Sequence, residues 1–255
     1  MSSSVFRSLT VLADGRELAS GCHIRLSGSE VLSLRPGFFL LTIEDLSPSS
    51  EVLLSSAREV RVLSGSSILA SGPVSDVYSD TVGGIRKTRV AISPGLTLWE
   101  SAVSITLPAG IRLSDTVRAL LSDSGAGVSL AGFTGLDPLY SRPQSFFGRT
   151  TDALLSLADT AGSLAYLSPA GLVFSSRSAT APTLILTTFD LLSAPSSESG
   201  HTVISTGMTG WPTGAWARYT WHDQSGEGRI ISRSVDADNV SGPWKSELLL
   251  VPVEI

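Results

Sequence analysis

Alternating hydrophobic and polar positions run through the first hundred residues and predict a series of short β-strands. In REVRVLSG, Val60 and Val62 alternate with arginines, which is the period-two pattern of a half-buried strand. The segment FRSLTVLADGRELA predicts a hairpin that turns at Asp14–Gly15. GFFLLTIEDLS, SILASGPVSDVYSD and IRKTRVAISPG continue the series at a spacing of roughly 8–12 residues, which is typical of sandwiches and barrels. The pattern predicts a small β-barrel.

Two segments in the middle of the chain follow a helical period instead. GIRLSDTVRALLSDSGAG predicts a helix capped near Ser114, with Val117, Leu120 and Leu121 on one face and Gly125 beyond its end. The second segment, residues 149–176, predicts a helix followed by a hairpin.

In that second helix, Thr150 or Thr151 is the expected N-cap, Asp152 lies in the first turn, and Gly162 is placed to end the helix. Its apolar stripe comprises Leu154, Leu155, Leu157 and Ala158. LAYL and GLVF are then two strands joined by a turn at residues 168–171.

The strand pattern returns from PTLILTTFDLLSAPS to the end of the chain, with glycine-rich turns between the segments. The predicted fold is mainly β with a small α+β insert, in which two β-barrel domains flank an α/β insertion domain. We expect the first barrel over residues 1–107, the insertion domain with two helices and a hairpin over 108–180, and the second barrel over 181–255.

Composition narrows the function classes. Charged residues make up only 16% of the chain and hydrophobic residues 42%, so we expect much of the surface to be covered in an assembly or the chain to be built from compact barrels. The formal net charge of −5 lacks the basic excess of a non-specific nucleic-acid binder. The N-terminus does not read as a signal peptide and no apolar run approaches the ~20 residues of a membrane span. We therefore expect a soluble protein made in the cytoplasm.

Side chains that could carry catalysis or bind a metal are scattered. Cys22 is the only cysteine, which excludes an intrachain disulfide and a cysteine-based metal cage. His23, His201 and His222 each stand apart in the sequence, with no metal-binding spacing. His222 is followed by Asp223, but adjacent strand residues point to opposite faces, which weakens a catalytic pair. There is no nucleophile elbow and no phosphate loop.

Three acidic pairs are candidates for the two carboxylates of a glycosidase. The candidates are Glu44 with Asp45, Asp115 with Asp123, and Asp236 with Asp238. Each lies where turns and helix ends favour acidic residues, and the sequence after Asp238 and Asn239 lacks the glycine and glutamate of a calcium loop. We expect no catalytic, cofactor-binding or metal-binding residues and no enzymatic activity.

Three tryptophans, Trp211, Trp216 and Trp221, fall within a short stretch. They have two interpretations. Tryptophans of this kind most often pack in a core or a barrel seam, and less often form an exposed stacking platform for a ligand.

Taken in order, the segments resemble the central hub proteins of phage tails and baseplates, the late control D-type family. The similar segments are FFLLTIEDLSPSSEVLLSSAREVRVLSGSSILASGPVSDVYSD, LPAGIRLSDTVRALL, TTDALLSLADTAG with its following hairpin, and VISTGMTGWPTG. They span the chain from about Phe38 onward, and it is their order that carries the resemblance.

The resemblance implies a structural protein of the virion. In such hubs two similar barrels flank a small α/β domain, so that a homotrimer presents pseudo-six-fold symmetry and joins the hexameric tail tube to a three-fold spike, fibre or tip protein. The implied partners include the tape measure protein, with DNA only as passing cargo and no stable membrane insertion. An acidic lumen would repel phosphates, a hypothesis that fails if charge reversal there leaves DNA ejection unchanged.

Two other functions stay open at this level. One is a carbohydrate- or receptor-binding β-protein of the tail tip or cell surface, with the tryptophans as its platform. The other is a wall-degrading hydrolase, which would need one of the carboxylate pairs to lie in a cleft.

Overall fold

Most of the chain folds into antiparallel β-strands, with four helices among the residues that are described. The structure is a computed structural model, and it describes residues 7–19, 21–177, 184–198, 200–207 and 210–252. By their contacts the described residues divide into two units, one of residues 7–31, 37–94 and 184–252 and the other of residues 32–36 and 95–177.

The bounds of the elements follow the chain in three groups. The first group is β1 (Thr10–Ala13), β2 (Arg16–Leu18), β3 (Ile24–Val31), β4 (Phe38–Glu44), α1 (Pro48–Ser56), β5 (Val60–Ser64), β6 (Ser67–Gly72), β7 (Val74–Val82) and β8 (Ile85–Ile92). The second is α2 (Leu96–Glu100), β9 (Ala102–Leu107), α3 (Leu113–Asp123), β10 (Leu130–Phe133), β11 (Gln144–Arg149), α4 (Thr150–Thr160), β12 (Ser163–Ser168) and β13 (Gly171–Ser176). The third is β14 (Leu184–Leu186), β15 (Ser196–Glu198), β16 (His201–Thr206), β17 (Trp216–Trp221), β18 (Gln224–Asp238) and β19 (Trp244–Val251).

Strand β18 joins the N-terminal and C-terminal strands of the first unit. It pairs with β19 along one side, while on its other side β17 pairs with its first part and β3 with its last part. The sheet order runs β15-β16-β19-β18-β3-β4-β8-β7, with β17 and β14 attached beside the first part of β18. A register shift between Ile230 and Ser232 marks the change of partner.

The first unit contains two apolar cores. One gathers buried residues of the four-stranded sheet β2-β1-β5-β6 together with β3, β4 and β8, including Val62, Leu41 and Val90. The other lies among β14, β16, β17, β18 and β19, around Ile204 and Leu248. Burial of these apolar faces is the main stabilising contribution.

The second unit has its own core, built from one face of each helix and from the sheet β10-β13-β12. Leu120, Leu154 and Phe174 lie at its centre and are fully buried. The unit also contains the two-stranded sheet β11-β9.

Several local expectations are confirmed. The β1–β2 hairpin turns at Asp14 and Gly15, both with positive φ, and β12 pairs with β13 as a hairpin. Gly162 (φ 62°) follows α4 and donates its N–H to the carbonyl of Asp159.

The expected helix caps are wrong. Arg112 and Arg149 hold the N-cap positions without a side-chain hydrogen bond, and Ser114, Thr150 and Thr151 are buried inside the first turns. The carboxylate of Asp137 replaces the cap of α3, because it accepts from both the N–H (2.8 Å) and the hydroxyl (3.0 Å) of Ser114. Leu155, expected in the apolar stripe of α4, is 44% exposed.

The mainly β fold class is therefore confirmed. Most of the described strand pairs are antiparallel, whereas β10–β13 and β14–β17 are parallel. The described strands close into no barrel, so the architecture of two barrels around an insertion stays a proposal. The division at residues 107/108 and 180/181 stays a prediction as well.

Candidate functional site

The clearest cluster of ionisable side chains surrounds His23, just before β3. Its Nδ1 lies 2.9 Å from Oε2 of Glu44, at the end of β4, and its Nε2 lies 2.8 Å from Oδ1 of Asp238, at the end of β18. Arg25 donates from Nε to Oδ2 of Asp238 at 2.7 Å, and Lys87 lies 3.1 Å from Oε1 of Glu44. The cluster therefore connects four neighbouring strands of the ten-stranded sheet.

The electrostatics of the cluster favour both carboxylates in their charged form. Burial opposes ionisation of Asp238, but the N–H groups of Ser241 and Val240 and the neighbouring His23 outweigh it and lower the pKa of Asp238 to about 2. The hydrogen bond from Lys87, with a smaller contribution from His23, lowers the pKa of Glu44 below its ordinary value. Neutral imidazole has one N–H and can donate to only one of the two carboxylates, whereas imidazolium donates to both.

This arrangement links neighbouring strands of the first unit through charged contacts. Both ring nitrogens of His23 face carboxylates. The donor atoms face one another, and within the described ranges no group of three or more His, Cys, Asp or Glu side chains could hold a metal ion. Burial, with a smaller contribution from Asp45, raises the pKa of the neighbouring Cys22 thiol above its ordinary value.

The sequence could not bring these residues together. His23 and Asp238 are separated by 215 positions, so the sequence relates each of them only to its own neighbours. What brings them together is the pairing of β3 with β18, in which Asp238 lies opposite Arg25.

The other candidate residues remain apart. His222 has a positive φ of 48° in the β17–β18 turn, and its ring lies edge-on to Trp221. Asp115 pairs with Arg118 on the exposed face of α3. The carboxylate of Asp123 accepts the N–H of Ser104.

Four further candidates lie in separate places. His201 begins β16, Asp223 follows His222 in its turn, Asp45 has a positive φ of 55° after β4, and Asp236 lies two residues before Asp238 on β18.

The tryptophans follow the core interpretation. Trp216 is buried, and Trp211 and Trp221 are partly buried against the core of β14 and β16–β19. With Trp216 buried and the other two packed against that core, the burial of the tryptophans supports the core interpretation over an exposed platform.

Among the described residues, the first unit carries isolated exposed apolar side chains and edge strands that pair on one side only. Phe189 is 99% exposed and Val52, on α1, is 67% exposed. The ten-stranded sheet ends at β7 on one side and at β15 on the other. Unpaired edges and exposed apolar groups are features that proteins cover when they assemble.

Solved structures share this fold along almost the whole chain. The tail protein from Neisseria meningitidis MC58 matches with a TM-score of 0.73 and 12% identity over 96% of both chains. The 43 kDa tail protein of prophage MuSo2 from Shewanella oneidensis matches with a TM-score of 0.71 and 12% identity, covering 96% of this chain and 98% of the other.

A third match comes from a secretion system. The E. coli c3393 protein is described as a component of the type VI secretion system with structural similarity to the T4 tail proteins gp27 and gp5. It matches with a TM-score of 0.63 and 10% identity over 96% of this chain and 77% of its own.

The chain has the fold of phage tail proteins. No protein-family model and no curated protein sequence matches it. Across the described residues, no helix is long and apolar enough to cross a membrane.

Proposed function

We propose that this chain is a structural hub protein of a phage tail tip or baseplate. In this proposal it forms a homotrimer with pseudo-six-fold symmetry and connects the hexameric tail tube to a three-fold spike, fibre or tip protein. It is not an enzyme, and it belongs to the virion after assembly in the host cytoplasm.

The observation that carries the proposal is the extent of the shared fold. Two tail proteins match over nearly the whole of this chain and of their own chains, so the similarity covers the complete arrangement of strands and helices and not one common motif. A secretion-system component with similarity to tail proteins matches over 96% of this chain.

Two features of the structure support an assembled state. Within the described part of the chain, the ten-stranded sheet ends in edge strands without a second partner, and large apolar side chains are exposed on the first unit. The His23 cluster also supports a structural role. Both ring nitrogens of His23 face carboxylates, an arrangement that fits a structural contact better than catalysis.

The partners follow from the position that a hub occupies. The tube protein binds on one side and the spike, fibre or tip protein on the other, with the tape measure protein as a further contact. DNA passes as cargo, since a chain with a net charge of −5 offers little attraction for phosphates.

The test is the mass of the purified protein by light scattering, with negative-stain imaging of the same peak. A trimer has a mass of about 80 kDa, three times the 26.6 kDa of the chain, and is expected to appear as a ring with a central hole. The same measurement is repeated with the tube protein of the same phage. A chain that stays monomeric alone and also fails to bind the tube protein would overturn the proposal.

A further inference from the structure

The long sheet of the first unit buries only one of its two faces. Along the order β15-β16-β19-β18-β3-β4-β8-β7, both cores of this unit pack on the same face, which includes Leu248 on β19 and Leu41 on β4. The other face, termed the free face, consists of the residues that alternate with them. On β3 these are Arg25, Ser27, Ser29 and Val31, all of which are exposed.

The free face has hydroxyls at its centre and paired charges around them. Ser29 of β3 lies opposite Ser234 of β18. The lysines and arginines that β3, β8 and β19 place on this face each contact a carboxylate, in the pairs Arg25–Asp238 at 2.7 Å, Lys87–Glu44 at 3.1 Å, Arg89–Asp80 at 2.7 Å and Lys245–Glu247 at 2.7 Å. Phosphates are held mainly by available cations, so these strands form a surface along which DNA can pass without binding.

The two edges of the sheet are complementary in direction. Each strand in the order is antiparallel to its neighbour, so β15 and β7, the first and last of eight strands, run in opposite directions. The β7–β8 hairpin closes with Val82 opposite Ile85, and alternation then directs the N–H and C=O groups of Ser79 and Thr81 away from β8. The β15 of a second copy, placed along β7, would therefore continue the antiparallel pattern.

The stagger of the strands matches the tilt of a closed barrel. The row of paired residues through Tyr78 of β7 reaches β3 at Arg25, whereas the row through Ser196 of β15 reaches β3 at Val31, six residues further along. Placing Ser196 beside Asp80 of another copy, two residues beyond Tyr78, gives a stagger of eight residues for the eight strands. At about 3.4 Å per residue and 4.8 Å per strand, this corresponds to a tilt of roughly 35°.

The hand of the stagger decides which face lies inside. The N–H of Glu44 bonds the carbonyl of His23, and alternation gives Arg25 and Thr42 the same type of pair. In an upward strand of L-residues, a side chain that points at the viewer has its N–H and C=O groups on the right. With β3 upward and the free face towards the viewer, β4 and β7 therefore lie to the right.

From the same viewpoint β15 lies to the left and higher, because its row meets β3 near the upper end at Val31. Joining the right edge of one copy to the higher left edge of the next makes the strands lean to the left of the ring axis. Strands of a barrel lean to the right when seen from outside, because of their fixed twist. The viewer of the free face is therefore inside the barrel.

The number of copies follows from the width of the lumen. Three copies supply twenty-four strands, three times the eight of this order. At this spacing and tilt the backbone diameter is roughly 45 Å, and side chains reduce the lumen to roughly 35 Å. Two copies would leave roughly 20 Å by the same geometry, which gives a DNA duplex no clearance.

We propose that β15 of one copy pairs antiparallel with β7 of the next, closing a barrel of three copies whose free face lines the lumen. Contacts between two different edges of one molecule are head-to-tail and close into rings when the rotation permits. The inference rests on the proposed hub function, and it names the strands that join the subunits and the surface that passing DNA meets.

The contact is tested by cross-linking two differently tagged populations of the full chain. One carries Val82→Cys at the end of β7 and the other carries Ser196→Cys on β15, both in a Cys22→Ala background, and a short bismaleimide is added after mixing. We expect a product that contains one chain of each kind. In the matched control Ser225→Cys replaces Ser196→Cys, because Ser225 is also an exposed strand serine but lies in the β17–β18 hairpin.

Light scattering on the same mixtures, alone and with the tube protein, separates this contact from the proposed function. A trimer with the specific product supports both. A trimer whose product does not exceed the Ser225 control overturns the β7–β15 contact and leaves the hub function standing. A specific product in open chains supports the contact and overturns the closed ring. Monomers without the product overturn the contact, and they also overturn the hub if the tube protein does not bind.

A proline variant tests the edge in a second way. Thr81→Pro removes an N–H that points away from β8, a position where edge strands tolerate proline, so we expect the urea midpoint of the monomer to stay close to that of the parent chain. Association between copies should weaken at least about tenfold, because the pairing loses a hydrogen bond and the proline ring meets the incoming strand. Asp80→Pro is the contrasting variant, since its N–H points towards β8 and its loss should destabilise the monomer. Unchanged association of Thr81→Pro overturns the contact.

The assignment of the faces is tested on the assembled ring. Ser29→Cys, on the free face, and Ser55→Cys, on α1, are each labelled with a maleimide gold cluster in the Cys22→Ala background and imaged in negative stain. Helix α1 lies on the core side of the sheet, where Glu51 accepts from the hydroxyl of Ser79. We expect gold inside the central hole for Ser29→Cys and on the outer rim for Ser55→Cys. Gold on the outer rim for Ser29→Cys would overturn the lumen assignment.

Discussion

Replacing Asp238 with asparagine tests whether the His23 cluster holds the first and last parts of the chain together. The asparagine Oδ1 can still accept the N–H groups of Val240 and Ser241, which Asp238 binds at 2.9 Å each. The neutral amide loses the charged interactions with Arg25 at 2.7 Å and with His23 at 2.8 Å. The substitution therefore removes charge while keeping shape.

The magnitude follows from the pKa of Asp238. Folding lowers it from 3.8 to about 2, and at about 1.36 kcal/mol per unit this corresponds to roughly 2 kcal/mol of stability. The side chain is only 4% exposed, so solvent screening reduces the value little. Because the pKa is lower in the folded state, this stabilisation is fully present above about pH 4 and is lost as the pH falls towards 2.

We expect Asp238→Asn to lower the free energy of unfolding by about 2 kcal/mol at pH 7 and by progressively less between pH 4 and pH 2. Urea unfolding followed by tryptophan fluorescence at pH 7, 5, 4 and 3 measures the difference. Asp223→Asn, in the exposed β17–β18 turn, is the matched control and should change stability by less than about 0.5 kcal/mol. A loss of the same size at every pH, or no loss at pH 7, would refute the reasoning.

Three further predictions concern the interior and the helix ends. Arg233→Met should lower the free energy of unfolding in urea by about 3–5 kcal/mol, because Arg233 is 2% exposed and pairs with Glu30 at 3.1 Å. Adding Glu30→Gln should recover part of that loss, and a double variant that is as unstable as Arg233→Met alone would contradict the pairing. Gly28→Ala should lower the free energy of unfolding, measured by thermal unfolding, by about 3 kcal/mol or more, since its Cβ would lie 2.3 Å from the carbonyl oxygen of Phe38. The control is Gly15→Asn, in an open turn, which should change stability little. Gly125→Ala and Gly162→Ala should each cost about 1 kcal/mol, because both glycines follow a helix with φ near +60° and open space around the missing Cβ; a melting temperature that does not change in either variant would count against the left-handed turn.

Local structure could be predicted from the sequence because its signals are local. The turn at Asp14–Gly15 and the end of α4 at Gly162 each depend on the backbone freedom of one or two residues. The hairpin of β12 and β13 likewise needs only its own residues and the turn between them. These elements lie where the pattern placed them.

Long-range structure could not be predicted in the same way. Ser114 looked like a cap because serine favours that position, but its N–H and hydroxyl bind Asp137, which comes 23 residues later. The His23 cluster depends on Asp238 at the other end of the chain. Nothing near His23 in the sequence indicates which strand will pair with β3, so the sequence pattern places the charges that meet there in separate turns.

The register shift in β18 explains how one strand can serve two cores. Ile230 packs in the core of the C-terminal strands, and Val235 and Ala237 pack in the core of the N-terminal strands. In a regular strand Ile230 and Val235 would point to opposite faces, because they are an odd number of residues apart. The shift between Ile230 and Ser232 adds one residue on this strand and resets the alternation, so that one face stays apolar along both parts. The shift also lies where the partner of β18 changes from β17 to β3. The extra residue therefore marks both the change of partner strand and the change of the core in which β18 packs.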